Sequence, residues 1–425
     1  MAASEKRPFR RLNFSTESLE VPKREPIKAG QFVTIKTRRN PNLDFDKPGR
    51  PCARSGHAAV ADSKNLYIFG GYNPHVPTLR NYFCQESDML FPLFQEVWKY
   101  NFATNMWKRM QTKGQMPMQL ASMSLALYGD YILVYGGTGY PFGPMTSNVV
   151  WYLDIREGEW RRKEDEGASQ TTQPIPGYGQ AVAVIDNKLH VYGGTTGWDY
   201  YSDVHRCYLD TGKWERLFSL EEQYTMQFLK DKPVELDPNV PKPRYRHEIL
   251  TDGDWLYIIG GGTSREAYPL DKVHAFHLET RKWELKDTIP DRVHGFPGKR
   301  RCHGCAQLNN EGYITGGYSV GKIYDDIWKL ELDTLQWTKL SAKLPRPVYF
   351  HASAITPEGC LYCHGGVVCP TGMERSEDLV RIWLKVPSLL MMCWDAVLAM
   401  TPQLYILPGR YLRQIGIPRH VLEMT

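Results

Sequence analysis

The sequence lacks the features that mark several classes of protein. It has no run of about 20 apolar residues, so we expect no contact with a membrane. With 52 basic and 47 acidic residues the formal net charge is only +5, and charge alone gives no reason to expect nucleic-acid binding. Gly-x-x-x-x-Gly-Lys-Ser/Thr and His-Glu-x-x-His motifs are also missing, which argues against P-loop and zinc-protease chemistry.

Cysteine usage and the first residues of the chain bear on the compartment. The nine cysteines are scattered and odd in number, which is typical of a reducing environment. The first residues are charged and polar, so we expect no secretory signal. These observations predict a cytoplasmic protein, and the basic cluster KRPFRR leaves a nuclear share open.

What the sequence does contain is a repeat. Between Tyr245 and Trp283, four apolar runs are joined by three connections without a helical period. Glycine pairs that close an apolar run recur at Gly70-Gly71, Gly136-Gly137, Gly193-Gly194, Gly260-Gly261, Gly316-Gly317 and Gly365-Gly366, and most are followed by a tryptophan, at Trp107, Trp160, Trp214, Trp283 and Trp337. This pattern resembles the kelch repeat, in which each period of about 50 residues forms one four-stranded blade. The resemblance implies an all-β fold, a six-bladed kelch β-propeller followed by a short C-terminal α-helical segment.

Changes in composition divide the chain into three parts. Residues 1–29 are polar, basic and proline-containing, which predicts a flexible tail. Residues 30–386 contain the repeats, and residues 387–425 have a helical pattern. The sixth repeat has no fourth strand before Pro387, so we expect the alternating segment 31–37 to close the ring. Inserts at 73–92 and 221–243 are either binding loops or disordered segments.

Four histidines, His57, His247, His303 and His351, occupy equivalent positions in the first strand of their repeats. Each would lie in its own blade, which favours a repeated structural hydrogen bond over a shared metal site. We therefore expect a non-enzymatic protein with no metal and no cofactor.

Binding is expected on the face of the propeller where loops surround its centre. The segments before the first strands supply arginines, tyrosines and a hydroxyl, which suit a peptide carboxylate because guanidinium groups form paired hydrogen bonds with it. The predicted client-peptide residues are Arg54, Ser122, Tyr178, Arg244, Arg246, Arg301 and Tyr349. The alternative is that several of these arginines form contacts between blades or solvate the rim.

The C-terminal part has a helical apolar face. Leu389, Met392, Cys393, Ala396 and Val397 would share it, and such a face more often packs against its own domain. The residue types are more specific than the helical periodicity. Ser388-Leu389-x-x-x-Cys393-x-x-x-Val397 resembles an Elongin C-binding BC-box. Leu407-Pro408-x-x-Tyr411-x-x-x-Ile415 resembles a Cullin-2 box.

Both boxes behind a kelch ring make the chain similar to the Kelch domain-containing protein 10 family, over segments such as RSGHAAV, GGTGYPFG, RYRHEI and WLKVPSLL. The resemblance implies a non-catalytic substrate receptor, with Elongin C, Elongin B and Cullin-2 with its RING subunit as partners. Its propeller would capture client C-termini that end in glycine or alanine, with Arg246 and Arg301 on the carboxylate. The alternative is a non-degradative kelch scaffold that binds a signalling enzyme or a cytoskeletal partner.

Overall fold

The computed structural model describes residues 30, 33–35, 49–75, 92–163, 172–222, 237–401, 404, 413 and 417. Six four-stranded antiparallel sheets make up most of this part of the chain, which confirms the six-bladed propeller. The tail 1–29, most of both inserts and the four predicted cullin-box residues (Leu407, Pro408, Tyr411 and Ile415) lie outside the described residues.

The strands follow chain order within the blades. Blade one has β2 (Ala58–Ala61), β3 (Asn65–Phe69), β4 (Val97–Asn101) and β5 (Met106–Arg109). Blade two has β6 (Ser124–Tyr128), β7 (Tyr131–Tyr135), β8 (Val150–Asp154) and β9 (Glu159–Arg162). Blade three has β10 (Ala181–Ile185), β11 (Lys188–Tyr192), β12 (Val204–Tyr208) and β13 (Trp214–Phe218).

Blade four has β14 (Glu248–Thr251), β15 (Trp255–Ile259), β16 (Lys272–His277) and β17 (Lys282–Asp287). Blade five has β18 (Gly304–Leu308), β19 (Glu311–Thr315), β22 (Asp326–Glu331) and β23 (Gln336–Lys343), with a small hairpin of β20 (Tyr318–Ser319) and β21 (Lys322–Ile323). Blade six has β24 (Ala352–Ile355), β25 (Cys360–His364), β26 (Leu379–Trp383) and β1 (Val33–Thr34). Helix α1 (Leu389–Met400) follows.

The tryptophans of the repeat fill the space between blades. Each is at least nine-tenths buried, from Trp337 at 0% to Trp283 at 7% exposure. Trp160 of blade two lies 5.2 Å from the Phe69 ring of blade one, and Trp214 of blade three lies 5.6 Å from Tyr135 of blade two. An aromatic ring in this wedge buries a large apolar area where neighbouring sheets splay apart. Packing therefore links each blade to the one before it.

A closed ring of six backbone hydrogen bonds surrounds the propeller axis. Each blade begins with an entry segment, the four residues that lead into its first strand, such as Arg54–His57 in blade one. The third residue of each entry segment donates its backbone N–H to the carbonyl oxygen of the third residue in a neighbouring blade's entry segment, at 2.8–3.1 Å. The members are Gly56, Ser122, Gly179, Arg246, Cys302 and Phe350, all with φ between 55° and 67°. Four of these six are not glycine, so the left-handed backbone is strained there and is held by the ring itself.

The sixth blade is completed from the other end of the chain. Val33 pairs with Arg381 and Thr34 with Val380 in an antiparallel ladder. Two further bonds extend it, from Gly30 N to Trp383 O (3.1 Å) and from Ile35 N to Leu379 O (2.8 Å). β1 lies inside the segment 31–37 and is shorter than that segment. It covers the edge that β26 would otherwise expose.

The four equivalent histidines do not make a repeated hydrogen bond, and that expectation was wrong. His57 Nε2 lies 3.0 Å from His364 Nδ1, His247 Nε2 lies 3.1 Å from Tyr192 O, and His351 Nε2 lies 2.8 Å from Thr315 Oγ1. His303 has no partner for either ring nitrogen among the described residues. What the four share is full burial between blades, which disfavours the charged imidazolium.

Removing the closing strand should destabilise the ring. A truncation of residues 1–37 deletes β1 and the bonds to β26, each worth about 0.5–1.5 kcal/mol. We expect the melting temperature to fall by about 5 °C or more, measured by differential scanning fluorimetry. A truncation of residues 1–28 is the matched control and should melt like the full chain. Equal melting of both truncations would show that β1 contributes nothing to closure.

Acid should destabilise the propeller. Burial lowers the pKa of His247 to about 3 and that of His351 to about 4, so both bind protons in the unfolded chain before they do in the folded one. Their stabilising contribution is present above the ordinary histidine pKa of about 6.5 and is lost as pH falls below it, by about 1.4 kcal/mol per pH unit for each histidine. Urea unfolding at pH 7.5 and pH 5 measures this loss.

The repeat itself offers a matched variant for this test, because Gln180 stands at the position of His247 in blade three. His247→Gln cannot take up a proton, so the stability difference between pH 7.5 and pH 5 should shrink by about 2 kcal/mol. An unchanged difference would mean that His247 does not contribute to the acid sensitivity.

Candidate functional site

A depression of about 330 Å³ lies at the centre of one propeller face, directly over the hydrogen-bonded ring. Four ring members form its floor: Gly56, Ser122, Arg246 and Phe350. The walls come from residues next to the ring and from the loops after the glycine pairs: Ser55, Tyr72, Ala121, Thr138, Phe142, Tyr178, Tyr245, Tyr349, Val367, Gly372 and Arg375. The walls are therefore mainly aromatic and hydroxyl-bearing.

The repeat explains why these side chains meet. The residue before each ring member forms an isolated bridge with the residue that follows, or nearly follows, the glycine pair of the same blade. Examples are Ser55 with Tyr72, Tyr178 with Thr195, and Tyr349 with Val367. The left-handed turn at the next residue then directs the chain into the first strand. Blades one, two, four and six thus contribute both a wall residue and a floor residue, and blade three contributes Tyr178 to the wall.

Arg246 is the cation on the floor. Its guanidinium donates to the Ser122 hydroxyl across the axis and lies 4.5 Å above the Phe350 ring. Nε is buried without a hydrogen-bond partner, and no carboxylate pairs with the side chain among the described residues. A half-buried guanidinium in this state favours an anionic ligand.

Arg375 is a second cation, in the wall. Its Nε donates to Ser55 Oγ at 3.0 Å and its Nη1 to Gly372 O at 3.1 Å, and its guanidinium carbon lies 5.0 Å from the Tyr72 ring centre. Burial is the main cause that lowers its pKa. The sequence prediction missed Arg375, because the predicted client residues were all taken from the segments before the first strands. Arg375 lies shortly before the third strand of blade six, where it bridges Val367.

A carboxyl group beneath the ring does not cancel the charge of Arg246. Below the floor, an axial channel of about 140 Å³ is lined by Arg246 and Glu248, among other residues. Burial raises the pKa of Glu248 to about 8, although the charge of Arg246 acts in the opposite direction. Glu248 is therefore largely protonated and neutral at pH 7, which leaves the positive charge of Arg246 available to the depression.

Four of the seven predicted client residues lie together in this depression: Ser122, Tyr178, Arg246 and Tyr349. Arg54 and Arg244 do not lie in it. Arg54 is 0% exposed and bonds to Cys52 O, to Gly70 O and to the carboxylate of Glu96. Arg244 is 4% exposed and bonds to Lys242 O and Gly260 O. Both side chains tie an entry segment to the glycine pair of their own blade.

Arg301 is also outside the depression. Its Nη2 donates to Ser264 O at 3.1 Å, and its guanidinium carbon lies 5.6 Å from the Tyr318 ring centre. The side chain is half-buried at the junction of blades four and five and is not part of the depression wall. The structure therefore does not bring Arg301 together with Arg246 in this depression, and Arg375 is the second arginine that lies there.

Three short motifs resemble metal-binding or catalytic signatures, but each belongs to the strands or turns of the propeller. Cys302-x-x-Cys305 and Cys360-x-x-Cys363 lie at the first strand of blade five and on the second strand of blade six, and all four thiols are free. No group of three or more His, Cys, Asp or Glu able to hold a metal occurs within the part of the chain that the structure describes. Gly317-Tyr318-Ser319-Val320-Gly321 has the Gly-x-Ser-x-Gly spacing but forms the β20–β21 hairpin, not the strand-to-helix turn of a hydrolase nucleophile.

Helix α1 lies on the opposite face of the propeller. Ser388 caps it by accepting a hydrogen bond from Met391 N. Trp394 (4% exposed) and Leu398 (1%) face the ring, with Trp394 Nε1 bonded to Ala103 O in the β4–β5 turn of blade one. Asp395 pairs with Arg381 of blade six at 3.4 Å. The helix is therefore attached to the first and last blades at once.

The other face of α1 is apolar and exposed. Leu389 is 73% exposed and Met392 36%, Cys393 and Ala396 are exposed, and Val397 is half-buried beside the Trp394 cluster. An apolar helix face commonly packs against its own domain, and here Trp394 and Leu398 pack in that way, whereas most of the predicted face does not. The BC-box-like residues Ser388, Leu389 and Cys393 are accessible.

Among the described residues, no helix has the length and apolar character needed to cross a membrane.

The sequence matches the family model described as "KLHDC2/KLHL20/DRC7 Kelch-repeats domain" over residues 31–228 and 222–386. It is 46% identical to Kelch domain-containing protein 10 of Xenopus laevis over 381 residues, which are 89% of this chain and 87% of that protein. It is 44% identical to the Homo sapiens protein of that name over 399 residues, 94% of this chain and 85% of that protein. The Drosophila melanogaster homolog is 35% identical over 397 residues, 88% of this chain and 62% of that protein.

A kelch propeller is typically a non-catalytic protein-interaction domain, and a protein-binding role agrees with the exposed depression and the free helix face. The repeats, the closed ring and these identities together place the chain in the Kelch domain-containing protein 10 family of kelch-repeat proteins.

Proposed function

We propose that the protein is the substrate receptor of a Cullin-2–Elongin B/C ubiquitin ligase. Clients bind by their C-terminal tails in the central depression, and helix α1 binds Elongin C. The receptor performs no chemistry itself, since ubiquitin comes from a conjugating enzyme that the RING subunit recruits. The observation that carries the proposal is the position in one depression of two guanidinium groups that have no carboxylate partner among the described residues, opposite a helix with an exposed apolar face.

The depression suits a chain terminus better than an internal acidic residue. The hydrogen-bonded ring narrows its floor, so an extended chain fits it best by its end. A terminal carboxylate has two oxygens and can accept from Arg246 and Arg375 at the same time. Four tyrosines, Tyr72, Tyr178, Tyr245 and Tyr349, narrow the walls and favour a small last residue such as glycine or alanine.

The helix suits an adaptor contact. Leu389 projects from the first turn, where it is free to enter a pocket of the partner, and the small Cys393 one turn later permits close approach. Because α1 and the depression lie on opposite faces, both partners can bind at once. A Cullin-2 contact through Leu407, Pro408, Tyr411 and Ile415 stays a prediction from the sequence.

The carboxylate contact can be tested with a fluorescent peptide of about ten residues that ends in glycine. Arg246→Gly keeps the left-handed backbone that Gly56 and Gly179 adopt at the equivalent ring positions, so the fold should be retained. Loss of a charge-assisted hydrogen bond worth about 1.5–3 kcal/mol should weaken binding by about 10- to 100-fold in fluorescence polarisation. Arg375→Ala should act in the same direction.

Arg301→Ala is the control for that experiment, because Arg301 is an arginine of the same entry segments that lies outside the depression. It should leave the affinity unchanged, whereas amidation of the peptide C-terminus should weaken binding to the wild type as Arg246→Gly does. Equal affinity of the free acid and the amide would refute recognition of a terminal carboxylate.

The adaptor contact can be tested by affinity purification from cells, probed for Elongin C and Cullin-2. Leu389→Ala combined with Cys393→Phe should abolish Elongin C co-purification, since it removes the apolar anchor and blocks close approach. Met400→Ala, an exposed apolar position (77%) at the far end of α1, is the control and should retain Elongin C. Elongin C retained by the double variant would favour the kelch scaffold.

A further inference from the structure

Three buried arginines stand at the first position of an entry segment, and they differ in whether a carboxylate pairs with the guanidinium. Arg54 of blade one is paired with Glu96, and Arg300 of blade five with Asp326, at 2.7 Å. Glu96 stands directly before the third strand of its blade and Asp326 is the first residue of that strand, and the backbone carbonyl of each accepts from the first glycine of the pair. Arg244 of blade four makes the same backbone contacts but has no ion pair among the described residues.

Sheet register shows why Arg244 lacks its acid. In blade four, Ile258 pairs with His274, which places Lys272 opposite Gly260. Lys272 therefore holds the position that Glu96 and Asp326 hold in their blades. The chain has replaced the expected carboxylate with a second cation, whose own partner is the exposed Asp287 at 2.9 Å. A 96% buried guanidinium without a carboxylate is costly unless something else supplies negative charge.

Arg244 forms part of the wall of a groove of about 730 Å³ between blades three and four. Aromatic and proline residues make up much of this wall, including Trp198, Tyr200, Pro241, Pro243 and Tyr268. Trp198 is 84% exposed at the mouth. The charged residues at the mouth, Lys242 and Lys272 against Asp199, Asp237 and Asp271, are exposed and screened by water. The unbalanced charge is thus the one at the base.

The groove is continuous with the central depression. The ring of Tyr200, in the groove, lies 5.4 Å from that of Tyr245, which forms part of the depression wall and lies 6.4 Å from Tyr178. A client tail that leaves the depression over Tyr178 and Tyr245 reaches the groove at Tyr200. Apolar walls with a cation at the base suit an extended peptide with one acidic side chain.

We propose that the groove between blades three and four is a second client subsite, which takes an aspartate or glutamate side chain upstream of the client C-terminus onto Arg244. This rests on the proposed binding of C-terminal tails and adds a requirement to it. The client supplies the carboxylate that Glu96 and Asp326 supply in the other blades.

The test uses the full chain and ten-residue peptides that end in glycine, with glutamate or glutamine at one position, scanned from the third to the eighth residue before the end. At one or two adjacent positions, the glutamate peptide should bind about tenfold more tightly than its glutamine counterpart. Fluorescence polarisation gives this ratio. A ratio within twofold at every position would overturn the proposal and mean that Arg244 is neutralised from within the chain.

Lys272→Glu returns the carboxylate to its place in the repeat and should reduce the ratio to about one. Lys272→Gln, the matched control, removes the same positive charge without supplying a negative one and should keep most of the ratio. Both changes are at an exposed position, so folding is not at stake. A tenfold ratio that persists in Lys272→Glu would show that the acid binds elsewhere.

Amidated versions of the same peptides separate this proposal from the one it rests on. Equal binding of acid and amide would refute the terminal-carboxylate contact, and a surviving glutamate-to-glutamine ratio would still support the groove. A large effect of amidation with no ratio at any position would support the depression and overturn the groove.

Discussion

The structure depends on the six hydrogen bonds that link the blades around the axis. Each blade is a small sheet that could not be stable alone, and the bonds between Gly56, Ser122, Gly179, Arg246, Cys302 and Phe350 set the height and rotation of all six together. The positive φ of these residues is strained in an open chain. It is tolerated because every member is fixed from both sides. This ring is also the floor of the central depression, so the same contacts that hold the fold shape the candidate site.

The repeat could be read from the sequence because it follows local physical rules. Glycine pairs mark where the second strands end, and the tryptophans mark the wedge between blades, so fold, blade number and the closing segment follow from spacing. The site residues were harder to predict, because arginine occurs at both the first and the third position of the entry segments. A first-position arginine, such as Arg54, points outward into its own blade, whereas a third-position arginine, such as Arg246, points to the axis.

One signal in the sequence separates the two kinds of arginine. Arg54, Arg244 and Arg300 each precede the first glycine of a pair by sixteen residues, and each bonds to that glycine's carbonyl. Arg375 could not be recognised by such a rule, because its place depends on how the loop after Gly366 folds back onto Ser55 of blade one. That contact is made across the closure of the ring, which no local pattern encodes.

The attachment of α1 has a consequence for the order of biosynthesis. β1 precedes the other blades in the sequence, yet its partner β26 follows blades one to five, so the ring cannot close until the sixth blade has been synthesised. Helix α1 then rests on Ala103 of blade one and on Arg381 of blade six, two residues that come together only in the closed ring. A chain with a missing or misfolded blade offers α1 no such platform. Any partner that requires the helix in this position therefore meets only molecules that have completed folding.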